Sequence, residues 1–143
     1  MFLISHRGNI EGKTELENHP DYINKALELG FDVEIDVWVV DNDILLGHDF
    51  PQYKIEISFL KNEKLWCHCK NYDALNLMLE NDIHCFWHQE DTFTITSKGY
   101  IWQYPSITKY NNAIFLMPEN FGAIDISGAK GICSDFIKKY EKI

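Results

Sequence analysis

Cysteine is scarce in this chain: four residues in 143, at positions 67, 69, 85 and 133. That is too few for a disulfide-stapled scaffold of this length, so reduced thiols in a cytoplasmic protein are expected. Basic side chains are also few. Thirteen Lys and Arg stand against 22 Asp and Glu, and the formal charge of -9 argues against non-specific binding to nucleic acid or to anionic membranes. A local basic pocket for one phosphate stays open. No apolar run approaches the ~20 residues of a membrane span, and the opening MFLISHRGN is too short and too soon charged for a signal peptide. No internal repeat, low-complexity tract or linker interrupts the chain, so residues 1–143 are expected to form a single domain. An apolar fraction of 45% with 24% charged residues is that of an ordinary globular protein, and 14% aromatics is somewhat rich.

The hydrophobic pattern predicts strand, helix, strand at the start. Phe2 to Ser5 reads as a strand that opens into His6-Arg7-Gly8-Asn9. His19-Pro20 marks a helix start, with Ile23, Ala26 and Leu27 as its apolar stripe and Gly30 as its left-handed end. A strand then runs to Val40, Asp41-Asn42-Asp43 turns, and Ile44 to Leu46 returns. Gln52 to Glu63 gives no clear pattern. Leu65 to Lys70 reads as a strand and Tyr72 to Glu80 as a helix striped with Leu75, Met78 and Leu79. Beyond it come short strand-like runs at Ile83 to His88, Tyr100 to Tyr104, Ile114 to Met117, Ala123 to Ile126 and Gly131 to Cys133. Ser134 is expected to cap a last helix carrying Phe136, Ile137 and Tyr140.

The chemistry concentrates in Phe31 to Asp49, FDVEIDVWVVDNDILLGHD. Residues two apart on a strand share a face, so Glu34 and Asp36 point the same way. Burying two like charges among Val33, Ile35, Val37 and Val39 is costly unless a cation or hydrogen-bond donors compensate, and a divalent metal is the simplest compensation. The hairpin that follows brings His48 near Glu34. On the next strand His68 and Lys70 share one face, and Cys67 and Cys69 the other. Trp38 shares the parity of the two carboxylates and is expected in a pocket wall.

HRGN at 6 to 9, Glu17-Asn18, GFDVEIDVWVVDNDILLGHD at 30 to 49, a strand ending in Lys70, and GICSDF near the end together resemble glycerophosphodiester phosphodiesterases. These belong to the phospholipase-C-like (PLC-like) phosphodiesterases. The resemblance implies an α/β protein of (β/α)8 TIM-type barrel fold with its site at the carboxyl ends of the strands. It implies acid and base catalysis by His6 and His48, one divalent metal (Mg, Ca or Mn) held by Glu34 and Asp36, and phosphate binding by Arg7 and Lys70. Glu17 and Asn18 match the family's loop, where His19 replaces the usual threonine. The implied substrate is a small phosphodiester of the glycerophosphodiester type, soluble or a head group, which places the chain in lipid metabolism. His68 stands where the family usually has a third carboxylate ligand, and imidazole favours Mn²⁺, Zn²⁺ or Fe²⁺ over Mg²⁺ or Ca²⁺. A complete barrel takes ~200 to 250 residues, so a reduced barrel lacking several outer helices is expected, with an exposed apolar outer face that favours a homo-oligomer. The alternative is a catalytically inactive relative that binds a phosphorylated ligand or partner.

Three further features carry competing readings. His88, at the end of a strand-like run, either reaches the mouth of the site or lies on the surface. Glu119, after the IFLMP run, is a candidate for the carboxylate that His68 replaces. Cys67, His68, Cys69, His84, Cys85 and His88 suggest a structural zinc site, against which stand the missing Cys-x-x-Cys spacing and a strand that aims the cysteines away from His68.

Overall fold

The computed structural model describes residues 1–105 and 108–143. Strand β1 (Phe2–His6) leads through the HRGN loop to helix α1 (Pro20–Glu28). The His19 ring accepts the Asp21 N–H at 3.1 Å and Pro20 opens the helix, so the residues that predict this start also make it. Strands β2 (Asp32–Val40) and β3 (Asp43–Leu46) form an antiparallel hairpin. Its turn residues Asp41 and Asn42 both have positive φ, 51° and 67°, which a two-residue hairpin turn demands and Asp and Asn tolerate.

The stretch without a clear pattern supplies a further hairpin strand, β4 (Tyr53–Ile55), and one helical turn, α2 (Ile57–Leu60). Strand β5 (Leu65–Cys69) and helix α3 (Tyr72–Glu80) follow as expected, with Asn71 capping α3 by accepting the Ala74 N–H at 3.0 Å. Then come β6 (Cys85–Phe86), β7 (Phe93–Ile95), β8 (Ile101–Gln103), β9 (Ala113–Leu116) and β10 (Gly131–Ser134).

Two expectations fail in this half. Ala123 to Ile126 is irregular rather than a strand, and the last helix is a single 3-10 turn, Ile137–Tyr140. Ser134 stays in β10, where its hydroxyl donates to Glu119 and accepts the Phe136 N–H, so it caps no helix. Strand β7 lies outside the strand-like runs expected from the hydrophobic pattern.

Parallel pairing joins seven of these strands in the order β6-β5-β2-β1-β10-β9-β8, with β3, β4 and β7 added antiparallel. In a flat sheet β6 and β8 would lie about 25–30 Å apart, at roughly 4.8 Å per strand. Instead the rings of Phe86 on β6 and Trp102 on β8 meet at 4.6 Å between centroids. The sheet therefore curls until its ends face one another. Ser97 N–H donates to the Cys85 carbonyl at 2.7 Å and Thr94 Oγ1 to the Trp87 carbonyl at 2.9 Å, which ties the seam.

The curl separates two apolar layers. Ile4, Trp66, Phe86, Trp102, Ile114, Leu116 and Cys133 fill the inside. Val33, Ile35, Val37, Cys67, Cys69 and Ile132 face outward, in the cluster that also holds Ile23 and Ala26 of α1 and Ala74 and Met78 of α3. The protein is thus a mixed α/β domain with a curled sheet and few helices, and α1 and α3 are its longest among the described residues. Past α3 the described residues form only loops and 3-10 turns besides the strands. The outer face is nonetheless covered in this half: Ala113, Phe115 and Ile132 are fully buried, and on its strands the exposed large apolar side chains are Phe93 and Ile95 of β7. No helix among the described residues is long and apolar enough to cross a membrane.

If the Phe86–Trp102 contact holds the curl, Phe86→Ala costs about 3–5 kcal/mol of unfolding free energy. Urea denaturation checks this, with the half-exposed Phe121→Ala as a comparison expected to lose far less.

Candidate functional site

Parallel strands deliver their carboxyl ends to one side, and register decides which side chains become neighbours there. His6 pairs across from Glu34, and Asp36 across from His68. With Lys70 just past β5 and Asp135 just past β10, the inward side chains of β1, β2, β5 and β10 converge at one end of the curled sheet. They open on a cavity of about 700 Å³, lined among others by His6, Arg7, Glu34, His48, His68 and Lys70.

Glu34 and Asp36 are 2% and 0% exposed, so their charge must be answered locally. The Asn18 amide donates to Asp36 Oδ2 at 2.9 Å, and Asn18 Oδ1 accepts the Asp36 N–H at 2.9 Å. Arg7 Nε lies 3.0 Å from Asp36 Oδ2 and Lys70 Nζ 3.7 Å from Oδ1. Burial by itself would raise the Asp36 carboxyl; the His68 contact and the Arg7 and Lys70 cations overcome it and hold the group well below the usual carboxylate range.

His68 settles into the same cluster. Its Nδ1 is 3.2 Å from Asp36 Oδ1 and 3.7 Å from Glu34 Oε1, while Nε2 donates to the His88 carbonyl at 2.8 Å. Burial opposes a charged ring there, but the two carboxylates prevail and push its pKa up to about 9. Nδ1 therefore faces two carboxylates that favour positive charge at that position.

The donor set fits a divalent ion. Glu34, Asp36 and His68 each offer a ligand atom, all within 4.8 Å of one another. Glu34 Oε2 and Asp36 Oδ1 are buried and make no hydrogen bond, Asp36 Oδ1 having His68 and Lys70 as its ionic neighbours. The backbone carbonyl on Nε2 fixes the tautomer that presents a lone pair at Nδ1, as outer partners of metal-binding histidines do. Two carboxylate oxygens and one imidazole suit Mn²⁺, Fe²⁺ or Zn²⁺ better than Mg²⁺ or Ca²⁺.

His6 is held from the other side. Its Nδ1 donates to Asp135 Oδ1 at 2.7 Å, which leaves Nε2 toward the cavity, 3.8 Å from Glu34 Oε2. Burial would raise the Asp135 carboxyl, but His6, Asn9 and Lys13 lower it. Asn9 donates to Asp135 at 2.8 Å and to Glu17 at 2.7 Å, and Arg7 Nη1 donates to Glu17 at 3.3 Å. His6, Glu17 and Asp135 also lie at ligand spacing, but His6 Nδ1, Asp135 Oδ1 and both Glu17 oxygens are taken up by these bonds, so the three form a hydrogen-bond network. Arg7 reaches back over β2 from a left-handed backbone, φ 55°, a strained geometry that side chains at functional sites often adopt.

His48 sits on the turn after β3, 40% exposed at its side chain, with Nδ1 2.8 Å from Asp49 Oδ1. A Cβ on Gly47 would stand 2.0 Å from the Phe50 carbonyl oxygen, so only glycine permits this turn.

Other expected residues fall elsewhere. Trp38 is not among the cavity's lining residues: its indole donates to the Gly47 carbonyl at 2.6 Å and braces the turn that carries His48. Glu119 lines the cavity but takes Ser134 Oγ at 2.7 Å and the Tyr140 hydroxyl at 3.1 Å, so it does not join Glu34 and Asp36. His88 does reach the cavity, and its Nδ1 is buried without a partner. Cys67 and Cys69 lie in the outward cluster, away from His68, and all four thiols are free, so no Cys-His zinc site forms among the described residues. Asp135 is a site residue to which the sequence reading did not point. Asp135 stood inside the GICSDF motif, one residue past a strand end, which was its available signal.

No protein-family model, curated protein or solved structure matches this chain.

Two outcomes follow for the carboxylate cluster. Mn²⁺ or Zn²⁺ added to chelator-treated protein raises its melting temperature, by about 2.7 kcal/mol of stabilisation at a hundredfold excess over Kd, and Asp36→Asn abolishes the shift. In the metal-free protein the His68 pKa lies above its ordinary 6.5, so its stabilising contribution is complete below pH 6.5 and is lost as pH rises through about 9. Denaturation midpoints across that window fall for the native chain and flatten in His68→Gln.

Proposed function

We propose that this chain is a small metal-dependent phosphodiesterase of the glycerophosphodiester type, built on a reduced (β/α)8 TIM-type barrel. The observation that carries the reading is a single cavity in which His6, oriented by Asp135, faces a carboxylate pair with unsatisfied oxygens, beside Arg7 and Lys70. The seven parallel strands curled end to end, with these residues at their carboxyl ends, support the barrel. Strand β7 and its tie to β6 stand where a further parallel strand would close it.

A phosphodiester carries a negative charge that repels nucleophiles, and Arg7 and Lys70 lower that barrier by neutralising the non-bridging oxygens. Glu34, Asp36 and His68 would hold the divalent ion, which when bound supplies further positive charge at the phosphoryl oxygens. His6 Nε2 faces the cavity and exchanges a proton there, while Asp135 keeps the proton on Nδ1 and stabilises the imidazolium that forms. His48, on its glycine-dependent turn, serves the oxygen on the opposite side of the phosphorus. One histidine removes the proton of the attacking oxygen and the other protonates the departing one.

A binding-only role is the second reading, favoured by one specific observation. His68, Arg7 and Lys70 already compensate Asp36 without any metal, so the protonated site is a stable phosphate receptor.

Hydrolysis of bis(p-nitrophenyl) phosphate and of a glycerophosphodiester with Mg²⁺, Ca²⁺ or Mn²⁺ decides between them. Catalysis predicts that His6→Ala and His48→Ala each lose about 10²–10⁴-fold in kcat/KM, with Mn²⁺ the best of the three ions. Undiminished activity in both variants would sink the mechanism. No turnover, with calorimetric binding of a phosphate ester, would favour the second reading.

A further inference from the structure

The cavity has two unlike sides. The residues from β1, β2 and β5 that crowd the carboxylate pair are charged or ionisable. The opposite side, from β8 and β9 to the segment after β10, is walled by Trp102, Tyr104, Leu116, Met117 and Phe136. Trp102 is 2% exposed and Leu116 and Met117 are each 8%, so this wall is set in the core rather than draped over it. Glu119 and Asn120 are the polar residues that follow β9 on that side; both Glu119 oxygens are already taken by Ser134 and Tyr140, and Asn120 is exposed. At the rim the Tyr104 ring lies edge-on to Phe121, 6.2 Å between centroids, which carries the apolar surface outward.

A phosphate anchored between Arg7, Lys70 and the carboxylate cluster must turn one of its ester arms to this wall. A polyol arm would surrender hydrogen bonds to water there and find few in return, whereas a hydrocarbon arm removes its own surface and the wall's from water. We infer that the site selects phosphodiesters in which one of the two alcohols is apolar, an alkyl chain or an aromatic ring, with the polar alcohol left at the open side. This deepens the phosphodiesterase reading of the same cavity and rests on it. Each methylene buried against the wall is worth about a fourfold gain in affinity or kcat/KM.

The experiment is a series of glycerol phosphodiesters whose second alcohol is methyl, butyl, octyl, benzyl or a second glycerol, assayed with Mn²⁺ by release of glycerol phosphate or of the alcohol. The expected result is at least a tenfold rise in kcat/KM from methyl to octyl, with the diglyceryl ester no better than methyl. The benzyl arm distinguishes ring from chain. Leu116→Asn and Met117→Gln are expected to flatten the octyl-to-methyl ratio. Calorimetric binding of octyl phosphate against glycerol phosphate to the unaltered protein gives a second measurement that needs neither turnover nor a folded variant, with octyl phosphate at least tenfold tighter. Absence of turnover on every ester overturns the phosphodiesterase reading alone. A flat series, or preference for the glyceryl arm in both measurements, overturns the apolar-arm inference.

Discussion

Glu34 and Asp36 repel one another across two residues of a strand buried on both faces, and the carboxyl end of the curled sheet is arranged around that repulsion. Arg7 leaves β1 in a left-handed conformation to bring its guanidinium to Asp36. Asn18, also left-handed, presents both ends of its amide to the same residue. His68 and Lys70 come from the neighbouring strand at the only parity that faces inward. Each of these groups is buried or nearly so, which makes them strong partners and costly orphans. Even so, Glu34 Oε2 and Asp36 Oδ1 accept no hydrogen bond. Protein groups balance the charge of the pair, yet they leave unsaturated the direction in which a metal ion would bind.

The curl is what lets so few residues build an interior. Aromatic rings from the first and last strands of the parallel run, Phe86 and Trp102, touch across the inside, with Trp66 beside them. Large rings fill the space that a longer chain would fill with more layers of aliphatic side chains. The same arrangement divides the cavity, because the strands that end in charged residues lie on one side of it and those that end in aromatic and aliphatic residues on the other.

Local pattern carried much of this. Period-two alternation put Glu34, Asp36, His68 and Lys70 on inward faces and Cys67 and Cys69 on outward ones, since parity along a strand is a property of the covalent chain. Trp38 shows the limit of that argument. It keeps the carboxylates' parity, but β2 pairs with β5 only to Val37 and continues as the hairpin with β3, so Trp38 stands above the rim and turns to Gly47. The final helix failed for a related reason: Ser134 is held in β10 by pairing with β1, an interaction no local window contains.

By itself the sequence determined β1, α1 with its ends, the β2–β3 hairpin with its turn at Asp41-Asn42, β5, α3 and the facing of the buried carboxylates, because each depends on neighbours within a few residues. Only the tertiary structure decided that Asp135 would hold His6, that Trp102 would meet Phe86, and that Glu119 would turn to Ser134 and Tyr140 instead of the carboxylate pair. Those contacts join residues far apart in the chain, and they exist because parallel pairing returns the last strand to the first.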